Sequence, residues 1–195
     1  MNKEGTLGCP PELQPGRVHE LSGSGAWVFA FLKAMQGEIM LCGRPACLEA
    51  LHPESVALFC DPNRVLHTLC PLEADALWAG ETALRAGCVK IVIIALQKSP
   101  GLTSFRRLQL AAQAGKALGL VIVQSPAHST PAETRWHCTA QHTDQGDALR
   151  LHASLYKNKR GSIGSWVLNA LGQTNPLHLD AAPAGEPVWP DRMAY

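Results

Sequence analysis

The chain has 195 residues, a formal net charge of +1 and 46% hydrophobic residues. That length suits one sizeable core and a single main domain. A charge so near zero argues against a bulk polyanion binder while leaving room for a local basic patch. No apolar run approaches a membrane span, and the N-terminal MNKEGTLGCPPELQPG lacks the apolar centre of a signal peptide, so the expectation is a cytoplasmic protein with no membrane partner.

Residues 1–16 are rich in Pro and Gly and read as a flexible N-terminal segment, followed by one folded domain over 17–171. Arg17–Leu21 alternates and predicts a short strand. The sequence SGSGAW then opens a helix over Ala26–Gln36, with Val28, Phe29, Phe31, Leu32 and Met35 for burial. Glu38–Cys42 predicts a second strand, Gly43–Pro53 a loop with at most a helical turn, and Val56–Cys60 a third short strand. Asp61-Pro62-Asn63 marks a turn, and Val65–Cys70 predicts another strand. Pro71 precedes a helix over Leu72–Ala86, with Glu73 and Asp75 in its first turn and Gly87 past its end.

Lys90–Leu96 is a near-continuous run of Ile and Val, as in a strand buried on both faces of a parallel sheet. Ser99, Pro100 and Gly101 break it. A helical pattern follows, with Phe105, Leu108, Ala112 and Gly115 on one side and Arg106, Gln109, Gln113 and Lys116 on the other. Gly119 punctuates its end, and Leu120–Val123 predicts the next strand, which completes a right-handed crossover unit. Arg135–Gln141, Ala148–Asn158 and Ser165–Asn169 then predict three strands without intervening helices. In the middle one, Leu149, Leu151, Ala153 and Leu155 alternate with Arg150, His152, Ser154 and Tyr156. The expected class is α/β: a mostly parallel sheet flanked by helices, with antiparallel strands at the C-terminal end. Residues 172–195 carry no periodicity and read as a flexible tail or docking peptide.

Catalytic chemistry finds little support. The full phosphate loop is G-x-x-x-x-G-K-[ST]; counted from Gly23, its second Gly, Lys and Ser/Thr fall on Val28, Phe29 and Ala30. Phe29 cannot neutralise a phosphate, Ala30 cannot ligate magnesium, and Gly23 with Gly25 forms only the start of G-x-G-x-x-G. Ala95, Leu96 and Gln97 place no carboxylate at the end of the central strand, where a nucleotide hydrolase holds its metal. His19 and His67 are scattered and read more plainly as structural. Seven cysteines include no C-x-x-C, and a zinc site from Cys42, Cys47, His67 and Cys70 lacks paired-knuckle spacing. The expectation is a protein with no enzymatic activity, cofactor or metal.

Two features point to binding. Trp78 falls with Glu81, Thr82 and Arg85 on the face opposite Ala76, Leu77, Gly80, Ala83 and Leu84; it is either an interface anchor or a ring packed under the N-terminal segment. Lys157, Lys159 and Arg160, with Arg106 and Arg107, form either a basic patch, for weak DNA contact or an acidic partner, or a solvated turn.

The runs ALWAGETALRAG, VKIVIIAL, LTSFRRLQLAAQAG and ETRWHCTA resemble the ImuA family, accessory proteins of bacterial inducible mutagenesis. More distantly, the order of elements is similar to the RecA core, with ELSGSG at the phosphate-loop position, VKIVIIAL at the strand that carries the metal-binding Asp, and LRLHASLYKNKRG as a core strand ending in a turn. The resemblance implies a RecA-like domain with a degenerate nucleotide site, marked by Gly23, Gly25, Phe29, Ala30 and Ala95. It implies a bacterial, non-catalytic adaptor in SOS-induced translesion synthesis after DNA damage. The partners would be an ImuB-like Y-family polymerase homologue, an error-prone polymerase α-type subunit and RecA itself. The N-terminal stretch has no room for the helix and strand by which RecA polymerises, so filaments are not expected. SulA, a related cell-division inhibitor without a phosphate loop, supplies the alternative, with FtsZ as partner.

Overall fold

The structure, a computed structural model, describes residues 10–34, 37–49, 51–142, 149–170 and 178–180. Its strands are β1 (Val18–Ser22), β2 (Ile39–Gly43), β3 (Val65–Leu69), β4 (Ile91–Lys98), β5 (Leu118–Ser125), β6 (Thr134–His142), β7 (Leu149–Asn158), β8 (Gly164–Ala170) and β9 (His178–Asp180). Its helices are α1 (Ala26–Lys33), α2 (Pro45–Leu48), α3 (Pro53–Ala57), α4 (Glu73–Ala86) and α5 (Leu102–Gly115). Among the described residues these strands make one sheet in the order β3-β2-β4-β5-β1-β6-β7-β8-β9. Pairing is parallel from β3 to β6 and antiparallel from β6 onward. The class is therefore α/β, with a mostly parallel sheet closed by antiparallel strands.

The aliphatic run in β4 is buried on both faces because helices cover both. Ile91 and Ile93 join Leu21, Leu120 and Trp136 under α1, whereas Val92, Ile94 and Leu96 join Val121, Phe105 and Leu108 under α4 and α5. Charged residues gather at the ends of α4: the Asp75 carboxylate accepts from Leu72 N–H at 3.2 Å, and Glu73 accepts from Gln97 N–H at 2.5 Å, fastening the helix start to the end of β4. Among the described residues, no helix is long and apolar enough to cross a membrane.

Three expectations are corrected. Val56–Cys60 is not a strand: Pro53 stands at the first helical position of α3, and Val56 is buried in the core with Phe59 and Cys60 packed against it from the following turn. Gly119 does not end α5, which closes at Gly115 with Lys116 in the left-handed conformation (φ 54°). Gly119 lies inside β5 instead, where a methyl would sit 2.8 Å from Val18 Cγ2 on the neighbouring strand. Within the segment expected to be aperiodic from Gly172, His178–Asp180 pairs antiparallel with β8. Residues 1–9 and 181–195, and with them most of both terminal segments, lie outside the described residues, as do Met35 and Gln36 of the first expected helix.

Candidate functional site

The glycine turn after β1 packs closely against β6 and β7. Gly23 has φ 90°, a conformation that favours glycine. A methyl there would approach Cys138 O to 2.3 Å, and one on Gly25 would lie 2.3 Å from Leu151 Cδ1 and 3.0 Å from Ala140 N. Gly25 N–H donates to Cys138 O at 2.9 Å, Ala26 N–H to Gly23 O at 3.1 Å, and Ser24 Oγ accepts from Ala140 N–H at 3.3 Å. Two of the turn's N–H groups, those of Gly25 and Ala26, are thus bonded to β6 and to the turn itself.

The side chains repeat the message. Phe29 is fully buried, with its ring 4.9 Å from that of Trp136, and Ala30 is buried beside it. Ala95 is buried with Cys47 and Leu48 under Trp27 and Leu51. Of the expected degenerate positions, Phe29, Ala30 and Ala95 therefore lie in apolar packing, while Gly23 and Gly25 lie against the backbone of β6. Cys42 is buried, which pushes its thiol up to about 12 with Cys70 nearby adding to the effect; burial raises Cys47, Cys60, Cys70 and Cys138 too. Such thiols stay protonated and unreactive at neutral pH. Among the described residues, no three His, Cys, Asp or Glu side chains are placed to hold a metal ion.

The binding candidates fall on two surfaces divided by α5. On the first, Trp78 is 66% exposed on α4, away from buried Ala76, Gly80, Ala83 and Leu84. Below it Glu81 accepts from Arg85 on its own helix and from Arg107 on α5, both at 2.8 Å. The carboxylate thereby ties the two helices together, and its two arginines leave a net positive rim round the indole. Ala74, Leu77, Ser104 and Leu108 complete a shallow groove of about 170 Å³.

The second surface holds Arg106 and Lys159, which line a groove on the other flank of α5. Lys157, Lys159 and Arg160 are not a freely solvated cluster. Lys157 Nζ donates to Thr130 O, Lys159 Nζ to Pro131 O at 2.6 Å, and Arg160 pairs with Glu133 at 2.9 Å. All three hold down the loop between β5 and β6. Burial lowers the Lys157 pKa, with Lys159 and Arg135 adding to the effect. Arg107 faces Trp78 instead, so the five expected cations do not form one patch.

One polar unit escaped the sequence reading. Glu20 and Arg135, both buried, pair at 2.7 Å between β1 and β6. Arg135 also donates to His128 O at 2.9 Å and to Ala127 O at 2.5 Å, and its guanidinium lies 4.9 Å from the Tyr156 ring centroid. A bulge makes this possible: Arg135 pairs with Lys157 and Trp136 with Leu155, leaving Tyr156 as the extra residue. On the opposite face, His19 Nδ1 lies 2.7 Å from Thr134 Oγ1, which accepts from Trp136 Nε1 at 2.8 Å. Burial takes His19 down to about 4, and the Arg17 charge acts in the same direction. A neutral, enclosed imidazole is a structural group, whereas His67 is exposed on β3 at the sheet edge. The only sequence signal for the ion pair was a lone charge within each of two apolar strands, VHELS and TRWHC.

Two open grooves lie either side of α5, and the glycine turn packs closely against β6 and β7. No family model matches the chain, and no curated protein matches it.

Proposed function

We propose that the chain is a non-enzymatic adaptor of the ImuA kind, built on a RecA-like domain, that serves error-prone translesion DNA synthesis in the SOS response. It docks onto an ImuB-type Y-family polymerase-like protein, alongside an error-prone polymerase α-type subunit or RecA. The observation that carries the reading is Trp78, a large aromatic side chain left 66% exposed over a preformed ion-pair rim. Exposed tryptophans concentrate binding energy at interfaces. The strand–SGSG–helix unit at β1 and α1 supports the RecA-like assignment. Apolar packing at Phe29, Ala30 and Ala95 supports a binding role over a catalytic one.

A tagged chain is used to capture partners from the bacterium that encodes it, with and without ultraviolet damage, beside a Trp78→Ala variant. The expected result is recovery of the Y-family polymerase-like protein by the natural chain and its loss with Trp78→Ala, while the melting temperature stays put. Recovery of FtsZ in its place would turn the function to division inhibition, as in SulA. Equal capture by both chains would remove Trp78 from the interface.

A further inference from the structure

The flank of α5 opposite the Trp78 groove carries exposed apolar and positive groups together. Leu102 is 69% exposed and Leu110 57% exposed, with Arg106 between them on the same side of the helix. Arg17 and Lys159 face them across a groove of about 310 Å³. Neither Arg17 nor Arg106 is in an ion pair among the described residues, and the nearby Glu133 is already paired with Arg160. The floor is fixed: Gln109 accepts from Val18 N–H at 3.2 Å and donates to Val18 O at 3.0 Å, clamping α5 to β1.

This groove continues, through Leu102 and Pro131, into a cavity of about 450 Å³ at the start of α5. There the helix has no side-chain cap and no acidic residue in its first turn, so its unpaired N–H groups add positive potential. The buried Thr130 hydroxyl beside that cavity has no hydrogen-bond partner among the described residues. The walls are held by Lys157, Lys159 and Arg135, whose donors bind the carbonyls of the β5–β6 loop. The track runs the length of α5, about 20 Å.

We propose that this flank binds an acidic peptide segment of a partner protein, with aliphatic side chains set between its carboxylates. The carboxylates meet Arg17, Arg106 and the α5 N-terminus, and the aliphatic groups cover Leu102 and Leu110. Charge complementarity selects acid, and the two leucines select peptide over nucleic acid. A phosphate backbone would leave both leucines unsatisfied, with few cations to neutralise it. The inference rests on the adaptor reading for its biological setting alone.

The test is fluorescence anisotropy with a labelled peptide that alternates leucine with aspartate and glutamate. Its lysine-for-acid and serine-for-leucine counterparts and a labelled oligothymidine serve as comparisons. The full chain is compared with Arg106→Glu, Leu110→Ser and Trp78→Ala, each shown to fold by its melting curve. The acidic leucine peptide should bind about tenfold more tightly than each comparison ligand, and Arg106→Glu and Leu110→Ser should each lose about tenfold, or 1.4 kcal/mol. Trp78→Ala should bind it unchanged. No binding, or equal binding by Arg106→Glu, overturns the proposal; tighter binding of oligothymidine makes the flank a nucleic-acid surface instead. A result confined to Trp78→Ala moves the peptide to α4, which overturns this proposal and leaves the adaptor reading intact. Capture of FtsZ would do the reverse.

Discussion

The turn after β1 packs on β6, and the flank of α5 is clamped to β1 beside the loop that leads into β6, yet the two are built to opposite ends. At the turn, Gly25 N–H is bonded to Cys138 O and the Phe29 ring is buried, tilted against that of Trp136. At the flank, two leucines and two arginines remain exposed or half-buried over a floor clamped by Gln109. The same two strands that close one region brace the other. Successive residues of β1 point to opposite faces, so His19 bonds Thr134 on the α1 side while Glu20 bonds Arg135 under the β5–β6 loop.

Breaking the brace should have the largest effect. Arg135→Ala leaves Glu20 buried and unpaired and releases the carbonyls of Ala127 and His128. A loss of about 3–5 kcal/mol is expected in urea unfolding. Protonation provides the next lever. His19 stays neutral in the fold down to about pH 4, against an ordinary value of 6.5. Its contribution is complete above pH 6.5. Below that the unfolded chain takes up a proton that the folded chain does not, so stability falls as pH drops toward 4, by about 3 kcal/mol at most. A His19→Gln variant should show that much less acid destabilisation; equal slopes for both proteins would contradict it.

On the packed side, Gly25→Ala must push Leu151 and the β6 backbone aside. It should cost about 1–3 kcal/mol, whereas an open turn would tolerate it. Trp78→Ala is the smallest in stability, within about 0.5 kcal/mol, because the ring covers little of the core. Its effect belongs to partner binding.

Hydrophobic period made most of the framework legible. The unbroken VKIVIIAL run marked a strand covered on both faces, and alternation in LRLHASLY marked β7, whose Leu151, Ala153 and Leu155 are fully buried. Short segments were misread: VALFC has strand-forming residues, but Pro53 starts a helix just before it, and Val56, Phe59 and Cys60 pack from there onto the core. Trp78 was legible as an outward residue because its helix is long enough to define two faces. The flank groove was not, since Arg17, Arg106 and Lys159 come from three separate segments that only the fold brings together. The tethering of Lys157 and Lys159 to loop carbonyls was likewise invisible to a reading of charge alone.

The proposed adaptor role requires that the region after β1 binds no nucleotide. Thermal unfolding of the full chain across a titration of Mg-ATP tests it directly, because a ligand that binds only the folded state at 100 times its Kd adds about 2.7 kcal/mol. A flat melting temperature is expected. A rise that saturates with ATP, and is abolished by Gly25→Ala in a variant that still folds, would contradict it.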